Sequence, residues 1–329
     1  MGVLKMLDSK SKAIRFAEVF ILVGSVLLLL IGKIVGDSFF IRLATEALIF
    51  GGLALAVDLL LGIVGLLSLG QALYFGFGAY MSAVLLKDYH FGFWAVMLAV
   101  LIFTTILGWL TSYIALRSKG VYFALITFGL AQVAAKSVYN TRALGASDGL
   151  VGVPIVQIVT PFGSLNTGDP ATFFVVVFIT ISILYFILKY FLHTPTGRIW
   201  YGIRSNENRL PFIGYQTASP KRAAFVLAAI VASLSGALYP MLRGFVSPEL
   251  MFFSVSGNAV ITVILGGVGT LVGAILGSGI LTIFKSIIGT LTVHYHIIIG
   301  LIFVIVVIFA PKGIIGFFAD RIQKRMSHG

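Results

Sequence analysis

Cysteine is absent from the 329 residues, which excludes disulfides, thiolate metal sites and a cysteine nucleophile. Charge is scarce: 10% of residues are Asp, Glu, Lys or Arg, against about 25% in a soluble domain. Acids are scarcer still, 11 against 23 bases. No phosphate loop of the form Gly-x-x-x-x-Gly-Lys-Ser/Thr occurs. The Gly32-Lys33 pair has Leu27 where the first glycine belongs and Ile34 where the hydroxyl belongs, so that route to cradling ATP is closed. The five histidines are His90, His193, His294, His296 and His328. His294 and His296 are two apart and share no helical face, so no metal site is expected. No His-Glu-x-x-His motif or cluster of carboxylates marks an intramembrane enzyme. Met6 stands where myristoylation after Gly2 needs Ser or Thr.

What remains is apolar. The chain is 59% hydrophobic, with a mean hydropathy of +1.08. That composition belongs to an all-α polytopic membrane protein, with room for roughly eight to eleven crossing helices. The net charge of +12 then reports Lys and Arg retained on the cytoplasmic side rather than nucleic-acid binding. A basic start (Lys5, Lys10, Lys12, Arg15) precedes an apolar run from Val19 to Ile31. It has the look of a signal peptide without a small-residue cleavage site, and reads as a retained first helix.

Apolar runs lie near 17–32, 43–62, 70–86, 93–115, 121–138, 171–191, 223–241, 256–287 and 296–311. The 256–287 run as one helix would be about 48 Å long, against a hydrocarbon core of about 30 Å. Gly266, Gly267 and Gly269 divide it, which predicts two short helices joined by a tight turn. With the amino terminus and the 193–222 loop both cytoplasmic, 16 of the 23 bases collect on that side once the basic carboxyl tail is included. An even number of crossings is then required. The expectation is about ten transmembrane helices with both termini cytoplasmic. It divides the chain into a cytoplasmic segment 1–16, a transmembrane region 17–311 and a cytoplasmic basic tail 312–329. The stretch 41–87 is broken by glycine as well, so each half carries one glycine-interrupted segment, the pattern of a pathway between two halves. Close helix packing explains the same glycines without a pathway.

The one long polar island runs from His193 to Arg222 and carries Arg198, Arg204, Arg209, Lys221 and Arg222 against the single acid Glu207. Its size and polarity suit a contact with another protein as well as a topological anchor.

Eight segments carry a resemblance: GLLSLGQALYFGFGAY at 65–80, GVYFALITFGLAQV at 120–133, GASDGLVGVP at 145–154, TGRIWYGIRSNE at 196–207, FVLAAIVASLSGALY at 225–239, GFVSPE at 244–249, VILGGVGTLVGAILG at 263–277 and APKGIIG at 310–316. In this order and spacing they resemble the branched-chain amino-acid ABC transporter permeases, specifically the M-type permease of the leucine/isoleucine/valine importer. Permeases of urea and short-chain amide importers share these landmarks. Gln71 stands where the family often has His, and Asp58 where it often has Asn.

The resemblance implies a heterodimer with a paralogous permease, two ABC ATPases on the cytoplasmic side and an extracytoplasmic substrate-binding protein, in a prokaryotic plasma (inner) membrane. It implies no cofactor in this chain. It makes 193–222 the loop that couples to the ATPases, through a short helix from Gly197 to about Asn208 bearing Arg198, Arg204 and Glu207. It places the extracytoplasmic loop 139–170, with Gly145, Ser147, Asp148 and Gly149, at the binding protein or outer gate; the same turn chemistry suits a solvated connector.

Pathway candidates are Asp58, Gln71, Gly70, Gly76, Gly266 and Gly267. Acids in a bilayer are functional candidates by default. Asp58 suits a ligand ammonium or N–H, and equally an unwound backbone at the glycine break. Glu46 is expected to pair with Arg42 one turn away rather than to hold a ligand, and Glu18, beside Arg15 near the membrane surface, to snorkel or pair. The competing classes are a urea or amide permease and a secondary transporter or channel, the latter disfavoured by the lack of clustered coupling acids.

Overall fold

A computed structural model of the chain describes residues 38–160 and 163–291, together with 17–19, 21, 24, 297, 300, 301, 304 and 313–316. The segment 1–16, most of the first and last apolar runs, most of the tail, and His294, His296 and His328 lie outside the described residues.

The described elements follow the apolar runs closely. They are α1 (Ser38–Asp58, extended by a π-helical turn Leu59–Val64), α2 (Gln71–Lys87), α3 (Phe93–Ala115), α4 (Val121–Asn140), α5 (Pro170–His193), α6 (Pro195–Asn206), α7 (Ala218–Arg243), α8 (Phe253–Gly266) and α9 (Val272–Leu291). Pro170 and Pro195 open α5 and α6, where a missing N–H costs nothing. The 256–287 run breaks at its glycines, with Gly267 and Gly269 at φ +119° and +79°. Among the described residues, six helices are long and apolar enough to cross a membrane. The all-α polytopic class holds. α8, at 14 residues, spans only about 21 Å and is too short to cross alone.

Composition alone does not separate central helices from peripheral ones; packing does. The α1 span is 89% buried within the protein, whereas the spans of α3 and α4 are 28% buried and turn Trp94, Phe103, Trp109 and Leu125 outward. α2 is buried almost all round, as an evenly hydrophobic helix should be. It packs on α7 through reciprocal close approaches: a β-carbon on Gly78 would sit 2.6 Å from Ser233 Oγ, and one on Gly236 would sit 2.7 Å from the Phe75 carbonyl carbon. Small residues substitute here for a hydrophobic driving force that lipid does not provide. Hydroxyl pairs Tyr74–Thr111 and Thr104–Ser233, each 2.6 Å, join α2 and α7 to α3.

The loop between α4 and α5 contains strands that the apolar pattern gave no sign of. β1 (Leu150–Val151) pairs antiparallel with β4 (Phe245–Val246), and β2 (Gln157–Thr160) with β3 (Gly163–Asn166). α7 therefore begins beside α6 and ends on this loop. Its 26 residues separate the two by about 39 Å.

Candidate functional site

The two glycine breaks meet. Asp58, fully buried at the end of α1, accepts from the Gly269 amide at 2.6 Å and the Leu271 amide at 2.8 Å. Those amides lie just before α9, where N–H groups lack intrahelical partners and the helix dipole favours an anion. Asp58 thus anchors the turn that leads into α9 from another helix. The approach needs glycine on both sides: a β-carbon on Gly62 would lie 2.7 Å from Gly269 Cα. Thr270 completes the turn, donating to the Gly267 carbonyl at 2.7 Å and accepting from Gly273 N at 3.2 Å.

The polar island reaches the same point. α6 is N-capped by Thr194 and seated by Trp200, which is fully buried and donates its indole N–H to the Pro220 carbonyl at 2.8 Å. Gly197 lies flat against the end of α5, where a β-carbon would be 2.6 Å from Leu192 Cα. From this seat Arg204 donates to the Gly62 carbonyl, one of the last carbonyls of the π-helical turn, which have no partner within the helix. The cation at this C-terminus and the anion at the α9 N-terminus both complement the helix dipoles. Glu207 closes α6 and pairs with Lys221 at 2.6 Å and Lys119 at 3.8 Å. Burial works against its carboxylate, but the Lys221 hydrogen bond and charge, with Lys119, outweigh it and hold Glu207 below the usual carboxylate range. Arg198 points outward, and beyond it the turn Pro211–Ile213 presents Phe212 and Ile213 at 89% and 67% exposure.

At the far end of α7, Gly145 and Gly149 adopt φ +81° and +75° around a short turn containing Ser147 and Asp148. Ser147 donates to Asp148 at 3.1 Å. Gly152 and Val153 both donate to the Gly244 carbonyl at 3.0 Å, fastening the loop to α7.

Toward this end lies a cavity of about 380 Å³ between α1, α8 and α9, with Arg243 of α7 at its rim. α1 contributes Phe39, Leu43, Glu46, Phe50 and Leu53, a 3-4 stripe along one face. α8 adds Asn258 and Thr262, and α9 adds Ser278, Thr282 and Lys285. Glu46 pairs across helices with Arg243 at 2.5 Å rather than with Arg42, which corrects the expected intrahelical pair. Glu18 accepts from Tyr185 at 2.5 Å and Lys189 at 2.6 Å, while Arg15 lies outside the described residues.

The family described as branched-chain amino acid transport system / permease component matches residues 39–307, which includes the junction, α6 and the cavity. The chain belongs to that family. It is 26% identical over 295 residues to the high-affinity branched-chain amino acid transport system permease protein LivM of Salmonella typhimurium, covering 84% of this chain and 69% of that one. It is 26% identical over 309 residues to LivM of Escherichia coli, covering 88% and 72%. LivH, a permease protein of the same system from Salmonella typhimurium, is 24% identical over 196 residues, 59% of each chain. No solved structure matches the chain. The protein is a multi-pass inner-membrane permease.

Of this permease's expected pathway residues, Asp58, Gly266 and Gly267 come together at the junction. Gln71, Gly70 and Gly76 lie elsewhere, on α2 and at its start. Gln71 is fully buried and donates weakly to Ser68 at 3.4 Å. Gly70 packs on the Thr127 backbone and Gly76 on Met251. None of the six lines the 380 Å³ cavity. Sequence reasoning missed Lys285, Arg243 and Asn258. The signal was polar residues at 3-4 spacing in apolar helices: Asn258 with Thr262, and Ser278 with Thr282 and Lys285.

Proposed function

We propose that this chain is the M-type permease subunit of an ABC importer for branched-chain amino acids, paired with a paralogous permease and driven by two ATPases on the side of the basic loop. The family membership supports the transport role, and the LivM and LivH likenesses support a pair of related permeases. The observation in this molecule that carries the coupling reading is the bond from Arg204 on α6 to the Gly62 carbonyl.

The basic loop faces the cytoplasm by the positive-inside rule. An ATPase grips α6, with Arg198 and the exposed Phe212–Ile213 turn as contacts. Movement of α6 pulls on Gly62 through Arg204. Gly62 touches Gly269, and Asp58 holds the Gly269 and Leu271 amides. Displacing α6 therefore shifts the hinge between α8 and α9, and the Asp58, Gly266 and Gly267 junction acts as the inner gate. At the opposite end, the Gly145–Gly149 loop receives the binding protein. Both Asp58 oxygens are already occupied by backbone amides, so the departure at position 58 gives no reason to assign a different cargo.

The test is leucine uptake into proteoliposomes holding this permease with its partner permease and ATPases, binding protein supplied outside. Uptake should require ATP inside. Uptake driven by an ion gradient with no ATP would instead establish a secondary transporter.

A further inference from the structure

Lys285 is an intramembrane cation in a cavity wall. Among the described residues its ammonium has no hydrogen bond or ion pair. Such a group within a bilayer is expensive and marks a ligand or ion path. Across the cavity Glu46 Oε2 accepts from Arg243, and its Oε1 has no hydrogen bond among the described residues. The cavity thus offers a cationic donor and an anionic acceptor that attract one another without a hydrogen bond between them, set among Leu43, Phe50 and Leu281. Its volume of about 380 Å³ falls in the range of small-ligand sites. A smaller cavity of about 240 Å³ shares Phe39, Leu43, Glu46 and Arg243 and continues to Arg42 and Phe245, beside the strand that binds the outer loop.

We propose that this cavity is a transit subsite for a zwitterionic aliphatic amino acid. Lys285 takes the carboxylate, Glu46 Oε1 takes the ammonium, and Leu43, Phe50 and Leu281 surround the side chain. The subsite rests on the transport reading above and adds the residues that hold the cargo. A net charge of +1 from Glu46, Arg243 and Lys285 disfavours a bare cation. The paired donor and acceptor select a ligand that carries both charges.

The probe is L-photo-leucine, a diazirine analogue of leucine, irradiated with the assembled permease–ATPase complex. Label should fall on α1 and α9 peptides that line the cavity, and excess leucine should compete it away while leucinamide, which lacks the carboxylate, should not. Lys285→Met should cut labelling by at least about tenfold, since a buried charge loses its partner. Lys285→Arg should retain it. Label elsewhere or nowhere on the chain, or undiminished label in Lys285→Met, overturns the subsite, and the wild-type result decides this even if a variant fails to assemble. ATP-driven leucine uptake by the same wild-type complex separates the two readings. Intact uptake with misplaced label removes the subsite alone, and absent uptake removes the functional reading and the subsite with it.

Discussion

Arg204 and Gly62, 142 residues apart, are joined by a hydrogen bond from the guanidinium to the carbonyl. The bond ties a short amphipathic helix in the polar loop to the end of the most buried span. Asp58, one turn earlier on that span, holds the start of α9. Two charged side chains thereby anchor two broken helix ends, and a push on α6 has a short mechanical route to the hinge between α8 and α9.

Arg204→Glu should abolish that route. It removes the donor to Gly62 and sets a carboxylate beside the Asp58 charge, which Arg204 now offsets. Membrane insertion should survive on Arg198, Arg209, Lys221 and Arg222. Leucine uptake should fall to background in an amount of inserted protein equal to wild type. Normal uptake would show that the loop only anchors topology.

Asp58→Asn should weaken the fold more than it alters cargo choice. The amide offers one acceptor where two backbone N–H groups need one each, leaving a buried amide unpaired at about 1–3 kcal/mol. Thermal unfolding in detergent should show a clear loss of stability. A stable variant with altered substrate preference would place Asp58 in the pathway instead.

Glu207 makes a pH prediction. Its folded pKa is lowered, so its contribution is fully present above the ordinary carboxylate value and is lost as pH falls through the lower folded value. Glu207→Gln should remove that dependence. Protection factors, which remove the intrinsic pH dependence of amide exchange, should be high for 206–221 at about pH 6 in wild type and fall toward about pH 3. The variant should be less protected at about pH 6, with no comparable further loss on acidification.

Phe212→Asp separates docking from folding. The side chain is 89% exposed, and exposed substitutions usually shift stability by within about 0.5 kcal/mol. Unchanged melting with lost ATPase co-purification is expected. Retained ATPases would move the contact elsewhere on the loop.

Trp200→Ala is the opposite case. It empties a fully buried indole site and strands the Pro220 carbonyl, at a cost of about 3–5 kcal/mol. α6 should become protease-sensitive while the spanning helices persist.

The order of apolar runs, the glycine division of 256–287 and the polar island were all legible in the residues, because hydrophobic length and glycine placement act locally along a chain. They decided that this is an all-α membrane protein with two interrupted segments and one basic face. The partners of its charges were not legible. Arg42 is one turn from Glu46, yet Glu46 pairs with Arg243, 197 residues away. Asp58 has no base within a turn, and its partners are backbone amides 211 and 213 residues away. A buried charge takes whichever partner the packing of helices brings to it, and that packing depends on which faces interlock rather than on the order of residues. The same reason hid Lys285: its spacing in α9 was visible, but only the meeting of α1, α8 and α9 turned it into the wall of a cavity.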